Sequence, residues 1–341
     1  MTDGPRTRHP ALRVLASPAG ATWRVVVCPH AGGAASYYRR LVGASAALGA
    51  PGALGGADAA GAAGATDEAH APVQASAGPF ATAPEVVAVQ YPGRETRFGE
   101  PLARTMTELL ADVSGPVRGL LADDVPTVLV GHSLGASVAV RIAAGLGPGA
   151  APDLLVVSGR AARADRPGTA GDAEEGSDAV GPGAAARDDA ALRAWTTALG
   201  GTPTVLLADD EFFALHARVL RADLAVHDSL AATPGEPSDV MVPLLLLAGS
   251  DDVASPPASV APWAARARAG VRRWVVEGGH FFVGERPEEV LEALRAALTA
   301  VVAGTYAADV ARPPAEDRWG RSRQAVTADL REPAVSTGAG S

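Results

Sequence analysis

Gly131-His132-Ser133-Leu134-Gly135 is the stretch that decides the fold, because of its two neighbours. Before it runs Pro126-Thr127-Val128-Leu129-Val130, a short apolar run rich in β-branched residues. After it, residues 136–144 (ASVAVRIAA) read as a helix. Strand, G-x-S-x-G and helix in succession describe a nucleophile elbow, a sharp turn that lifts a serine hydroxyl above the end of a sheet. The two glycines leave room for the strained turn and for close strand–helix contact.

Working outward, strands are expected at 23–28 (WRVVVC), 85–90, 154–158, 242–247 and 272–276. Helices are expected at 37–48, 105–122, 262–268 and 287–302. Alternating strands and helices imply an α/β fold with a mostly parallel central sheet covered on both faces. Residues 188–232 break that alternation with helical stretches placed where a lid would sit. Two segments, 49–83 and 161–186, are so rich in Ala, Gly and small polar residues that they read as low-complexity or mobile insertions. The reading leaves 1–22 as a flexible N-terminus, 23–303 as one domain, and 304–341 as a disordered tail.

The bulk properties narrow the function. The 341 residues carry a net charge of −9, which argues against a nucleic-acid surface. No run of about 18 apolar residues offers a membrane span, and residues 1–10 lack the apolar segment of a signal peptide. The one cysteine, Cys28, precludes an internal disulfide and fits a reducing cytoplasm. No cofactor or metal site is expected.

A serine hydroxyl needs a base, and the base needs a group to orient it. In hydrolases with this elbow the chain order is serine, acid, histidine. His280 follows the 272–276 strand, at the sheet end where ligand-facing residues collect. The acid belongs after the 242–247 strand, where Gly249-Ser250-Asp251-Asp252 offers two aspartates. Either serves by spacing, and Asp252 is preferred, three residues past the glycine. Oxyanion donors are expected from the backbone N–H of Leu134 and of Ala31, the latter in Pro29-His30-Ala31-Gly32-Gly33. His30 is read as orienting that loop, and His132 as structural.

Five segments together resemble the type II thioesterases, free-standing editing enzymes that accompany modular polyketide and nonribosomal peptide synthetases. They are Pro29–Gly33 with Tyr37-Tyr38, Gln90-Tyr91-Pro92-Gly93-Arg94-Glu95, Gly131–Ala136, Ser158-Gly159-Arg160, and Gly249–Asp252 with Glu277-Gly278-Gly279-His280-Phe281. The Tyr-Pro-Gly-Arg-Glu segment has no role in generic hydrolase chemistry, so it separates this family from esterases and lipases. Leu199–Pro203 and Leu220–Leu224 (LRADL) resemble the family's lid. The resemblance implies an α/β-hydrolase fold, a Ser133–Asp252–His280 triad and hydrolysis of acyl groups from the phosphopantetheine arm of acyl or peptidyl carrier proteins.

Since carrier proteins are commonly acidic, as this chain is, docking would need a local basic patch. Arg39, Arg40, Arg94 and Arg97 are the candidates. Trp195, Phe212, Phe213 and Leu215 are candidates for an acyl pocket under the lid. A cytoplasmic, free-standing monomer is the expectation. The rival readings are a general carboxylesterase, a chain-terminating synthetase thioesterase and a non-catalytic binding module on the same fold.

Overall fold

The computed structural model describes residues 9–48, 79–146, 150–162, 183–230, 237 and 239–306. Most of both proposed insertions and of the C-terminal tail lies outside the described residues. Short, almost unbroken aliphatic runs have no polar face to turn toward water, so they form strands buried on both sides. These are β2 (Arg24–Cys28), β3 (Glu85–Val89), β4 (Thr127–His132), β5 (Leu154–Ser158) and β6 (Leu244–Gly249). They pair in parallel, and β7 (Val271–Val276) adds alongside β6.

One element departs from the sequence reading. Residues Leu12–Ala16 form a half-buried strand, β1, antiparallel to β3 with Leu12 opposite Val89. The flexible N-terminus therefore cannot include this segment. Leu12 and Val14 pack into one face of the sheet and Leu15 into the other, which accounts for its docking.

The strand order is β1-β3-β2-β4-β5-β6-β7. The chain steps outward from β2 to β3 and then returns to place β4 on the other side of β2. That reversal opens a crevice at the carboxyl ends of β2 and β4, the usual ligand site of such sheets. Both sheet faces are covered. On one, Val26, Leu129 and Leu155 pack against α2 (Met106–Leu121) and α3 (Leu134–Ala144). On the other, Val25, Val128 and Leu245 meet α1 (Arg39–Leu48) and, near the C-terminus, the helix Pro287–Val302. The expected 262–268 helix is instead a helical turn at Pro257–Val260 continued by a 3-10 segment at Ala261–Arg266.

Between β5 and β6 stand α4 (Asp189–Leu199), α5 (Thr204–Ala208) and α6 (Asp210–Ser229). They share a small core of their own, including Leu192, Leu207, Phe213 and Leu220. Further along α6, Val226 joins the main core, so this helix ties the lid to the domain. No helix among the described residues is long and apolar enough to cross a membrane.

Candidate active site

β4 ends at His132, and the chain turns at Ser133 with φ 55° and ψ −118°. A non-glycine residue in this region is strained by about 1–3 kcal/mol, and its neighbours hold it there. The Ser133 N–H donates to Ser158 O at 2.8 Å, and α3 begins at the next residue. Gly135 needs its missing side chain, since a methyl there would sit on the carbonyl of Cys28. The elbow is therefore pressed against the end of β2. Leu134 is the first residue of α3, so its N–H has no partner within the helix and is free to face a ligand.

His280 stands in the turn after β7, and Asp252 in the turn after β6. His280 Nδ1 donates to Asp252 Oδ2 at 2.9 Å, with side chains 6% and 0% exposed. The other carboxylate oxygen, Oδ1, accepts the N–H groups of Ala254 and Ser255, each at 2.9 Å. Burial disfavours charge on Asp252, but the His280 hydrogen bond, the charge it can carry and the Ser255 N–H together hold the carboxyl below its usual range. Asp251, by contrast, is exposed and is hydrogen-bonded with its neighbour Ser250. Ser133, His280 and Ala31 line a single cleft.

Two further histidines surround this pair. His132 is fully buried, its Nδ1 3.0 Å from Ser158 Oγ and its ring centroid 5.2 Å from that of His280. His30 is buried with Nδ1 3.1 Å from the Tyr38 hydroxyl. Burial is the main cause that pushes His30 down to about 3, with the potential charges of His280, Arg94 and His216 adding to it. Burial likewise drives His132 well below its ordinary value. Both rings are neutral in the fold yet protonate freely in the unfolded chain near pH 6.5. For His30 the stability this permits is complete above that pH and falls as the medium is acidified toward about pH 3, by about 1.4 kcal/mol per pH unit, and His132 contributes in the same direction. A melting temperature that is level above about pH 6.5 and drops steadily from there to about pH 5 is the expected outcome. A flat profile would show that the rings are not held neutral. Burial also pushes the Cys28 thiol up to about 12, leaving it unreactive.

The loops carrying these groups are fastened to each other. The Tyr37 hydroxyl, beyond the 29–33 loop, donates to Phe281 O at 3.2 Å, and Arg40 donates to Gly284 O at 3.2 Å. Gly284 lies so close to the Tyr37 ring that a methyl group would collide with it.

Not every expected residue reaches its expected place. Arg94 and Arg97 are 6% and 4% exposed and present nothing to a partner. Arg94 forms a two-pronged ion pair with Asp223, and Arg97 is held by Asp112, Glu100 and Gln90 O. Burying an arginine requires such partners, and those partners exclude a docking role. Arg39 and Arg40 are exposed. Trp195 and Phe212 line a cavity of about 190 Å³ under the lid, with Leu199, His216 and Phe281. Phe213 is instead 1% exposed inside the lid's own core, and Leu215 is 54% exposed on the outer side of α6. Asp223 was not singled out from sequence. Its one signal is a carboxylate set between Ala222 and Leu224 on α6, and the arginine nearest in sequence, Arg221, pairs with Asp189 instead.

A family model for the thioesterase domain matches residues 76–298. Thioesterase PikA5 of Streptomyces venezuelae is 30% identical over 313 residues, 88% of this chain and 91% of that protein. The probable cadicidin biosynthesis thioesterase of Streptomyces griseus is 29% identical over 275 residues, 78% of this chain and 60% of that protein's length. The structure of YbtT, a type II thioesterase from the yersiniabactin NRPS/PKS biosynthetic pathway, superposes with a TM-score of 0.59 at 22% identity, covering 85% of this chain and 99% of that one. At that identity the superposition speaks for the α/β-hydrolase fold.

Proposed function

This chain belongs to the thioesterase domain family, and we propose that it hydrolyses acyl groups from the phosphopantetheine arm of acyl or peptidyl carrier proteins, clearing misprimed or stalled intermediates of polyketide or nonribosomal peptide assembly. One observation carries the reading: a buried, hydrogen-bonded His280–Asp252 pair opens on the cleft that holds Ser133 at its strained elbow. The family supplies the thioester, since nothing in the triad itself distinguishes thioester from ester.

In the mechanism that follows, His280 takes the Ser133 proton as the hydroxyl attacks the thioester carbonyl. Asp252 fixes the tautomer that leaves Nε2 able to accept, and stabilises the imidazolium that forms. The N–H groups of Ala31 and Leu134 receive the oxyanion. Collapse leaves an acyl-serine and expels the phosphopantetheine sulfur, a good leaving group that takes the proton from His280 and departs as the thiol, returning the imidazole to its neutral form. A water deprotonated by His280 then attacks the acyl-serine, and the free acid departs while Ser133 recovers its proton. The cavity beside Trp195 and Phe212 would receive a short acyl chain.

Mass spectrometry of carrier proteins loaded with varied acyl groups, before and after incubation with the enzyme, tests the reading. Loss of the acyl mass with return of the free phosphopantetheine thiol is expected; carriers that keep their acyl groups while a nitrophenyl ester is cleaved would make the protein an esterase.

Docking falls to Arg39 and Arg40. Arg39, together with Arg13, lines a surface cleft of about 330 Å³ close to Ser36 and Glu95. Exchanging Arg39 for glutamate is expected to raise KM for an acyl-carrier protein by about 3- to 10-fold, because a rim charge acts mainly through encounter. A small acyl thioester should be turned over as before. Equal loss on both substrates would remove Arg39 from the docking surface. The reading places the enzyme in the cytoplasm as a monomer.

A further inference from the structure

The Tyr-Pro-Gly-Arg-Glu segment contributes no atom to the reacting groups, yet its side chains converge on the loop that carries Ala31. The Tyr91 hydroxyl donates to Pro29 O at 3.1 Å. Arg94 Nη1 donates to Gly33 O at 3.0 Å, and its guanidinium lies 5.3 Å from the centre of the Tyr91 ring. Both Arg94 nitrogens also reach Asp223 of α6, Nη1 to Oδ2 at 2.6 Å and Nη2 to Oδ1 at 2.7 Å. Asp223 Oδ2 accepts a further hydrogen bond from Gly32 N at 2.7 Å. Ala31 is thus flanked by main-chain groups held from outside the loop: Pro29 O before it, Gly32 N and Gly33 O after it.

The pair is costly as a mere staple. Its side chains are 6% and 2% exposed, and replacing a buried ion pair by apolar residues of equal size is often neutral or stabilising. What an apolar pair cannot do is accept the Gly32 N–H and donate to the Gly33 carbonyl. Gly32 sits at φ +75°, a left-handed turn that a free glycine loop would not keep without such restraint. A carboxylate accepting from both a guanidinium and a backbone N–H fixes that peptide in one orientation.

We infer that Asp223 and Arg94 are positioning residues for the oxyanion donor at Ala31, so that the lid helix α6 supplies part of the catalytic hole rather than only a cover. This rests on the assignment of Ala31 as a donor within the proposed hydrolase mechanism. The charge pair aligns the peptide N–H that meets the oxyanion. Because Asp223 rides on α6, displacement of that helix releases Gly32 and slackens the hole.

The test compares Asp223→Asn with the wild-type protein in three measurements: thermal melting, kcat and KM on a small acyl thioester, and the rate at which a fluorophosphonate labels Ser133. The asparagine keeps the shape but sets an NH2 group against Arg94. Expected is a fall in kcat of about 10²-fold with KM changed by less than about 3-fold, and a matching fall in labelling rate, since phosphonylation also builds charge in the hole. Full kcat and full labelling in folded Asp223→Asn would overturn the inference and leave the pair as a lid anchor, whatever the melting temperature. If Asp223→Asn does not fold, Arg94→Lys decides. It keeps the buried charge balanced but loses the fork, and about a tenfold fall in kcat at constant KM is expected, against no change if the inference is wrong. Labelling needs no thioester substrate. A wild-type protein labelled at Ser133 yet inactive on acyl carriers would therefore defeat the proposed function while the labelling rates still judge the positioning role.

Discussion

Replacement of Ser133 by alanine is expected to lower kcat on an acyl-carrier protein by about 10⁴- to 10⁶-fold, with the melting temperature nearly unchanged. The size of the loss follows from the elbow. Ser133 alone sits at the turn between β4 and α3, and alanine adopts φ 55° with the same strain as serine, so the scaffold is not disturbed. What vanishes is the nucleophile, and with it the acyl-enzyme route. Any remaining turnover would come from water attacking a carbonyl polarised by the Ala31 and Leu134 N–H groups. Carrier binding should persist, and the variant should be able to trap the acyl-carrier complex. Turnover near the wild-type level would mean that another group performs the attack, and the mechanism would have to be abandoned.

A loss of about 10⁴-fold is expected for Asp252→Asn, against less than a few-fold for Asp251→Asn. Asp252 uses one oxygen for His280 and the other for two backbone N–H groups. An asparagine must keep its carbonyl toward those two donors, which turns its NH2 to face Nδ1. His280 would then accept at Nδ1 and carry its proton on Nε2, unable to take one from Ser133. The effect should appear in kcat, with KM little changed, and activity should recover partly at high pH if hydroxide substitutes for the base. The exposed Asp251 carboxylate is hydrogen-bonded with Ser250 and not with His280, so its neutralisation removes nothing the chemistry uses. Equal effects at both positions would show that the pairing seen at His280 is not the catalytic one.

The elbow could be read from sequence because all its parts are contiguous: strand, turn and helix lie within about twenty residues and each constrains the next. The buried strands were equally legible, since five consecutive aliphatic residues have few other fates. β1 is not legible because it is short, half-buried and paired with residues 70 to 77 positions away. The choice between Asp251 and Asp252 depends on which way a turn rolls, and spacing does not encode that. Arg94 and Arg97 looked like surface charges because a single sequence does not reveal partners. Asp112 lies 15 positions beyond Arg97, and Asp223 lies 129 beyond Arg94. Helical phase separates the aromatic candidates: on α6, Phe212 reaches the cavity while Phe213 turns into the lid core and Leu215 outward.

The bond from the Tyr37 hydroxyl to Phe281 O, with Arg40 gripping Gly284 nearby, fuses the histidine turn to the segment beyond the glycine loop. The reacting groups consequently behave as one prefabricated block seated on the sheet, with little freedom to drift apart individually. Along the lid, Leu199 and Phe212 meet the cavity without taking part in either of those two hydrogen bonds. Acyl preference can therefore be remodelled at those positions, by selection or by design, while the bond-breaking step keeps its tuning.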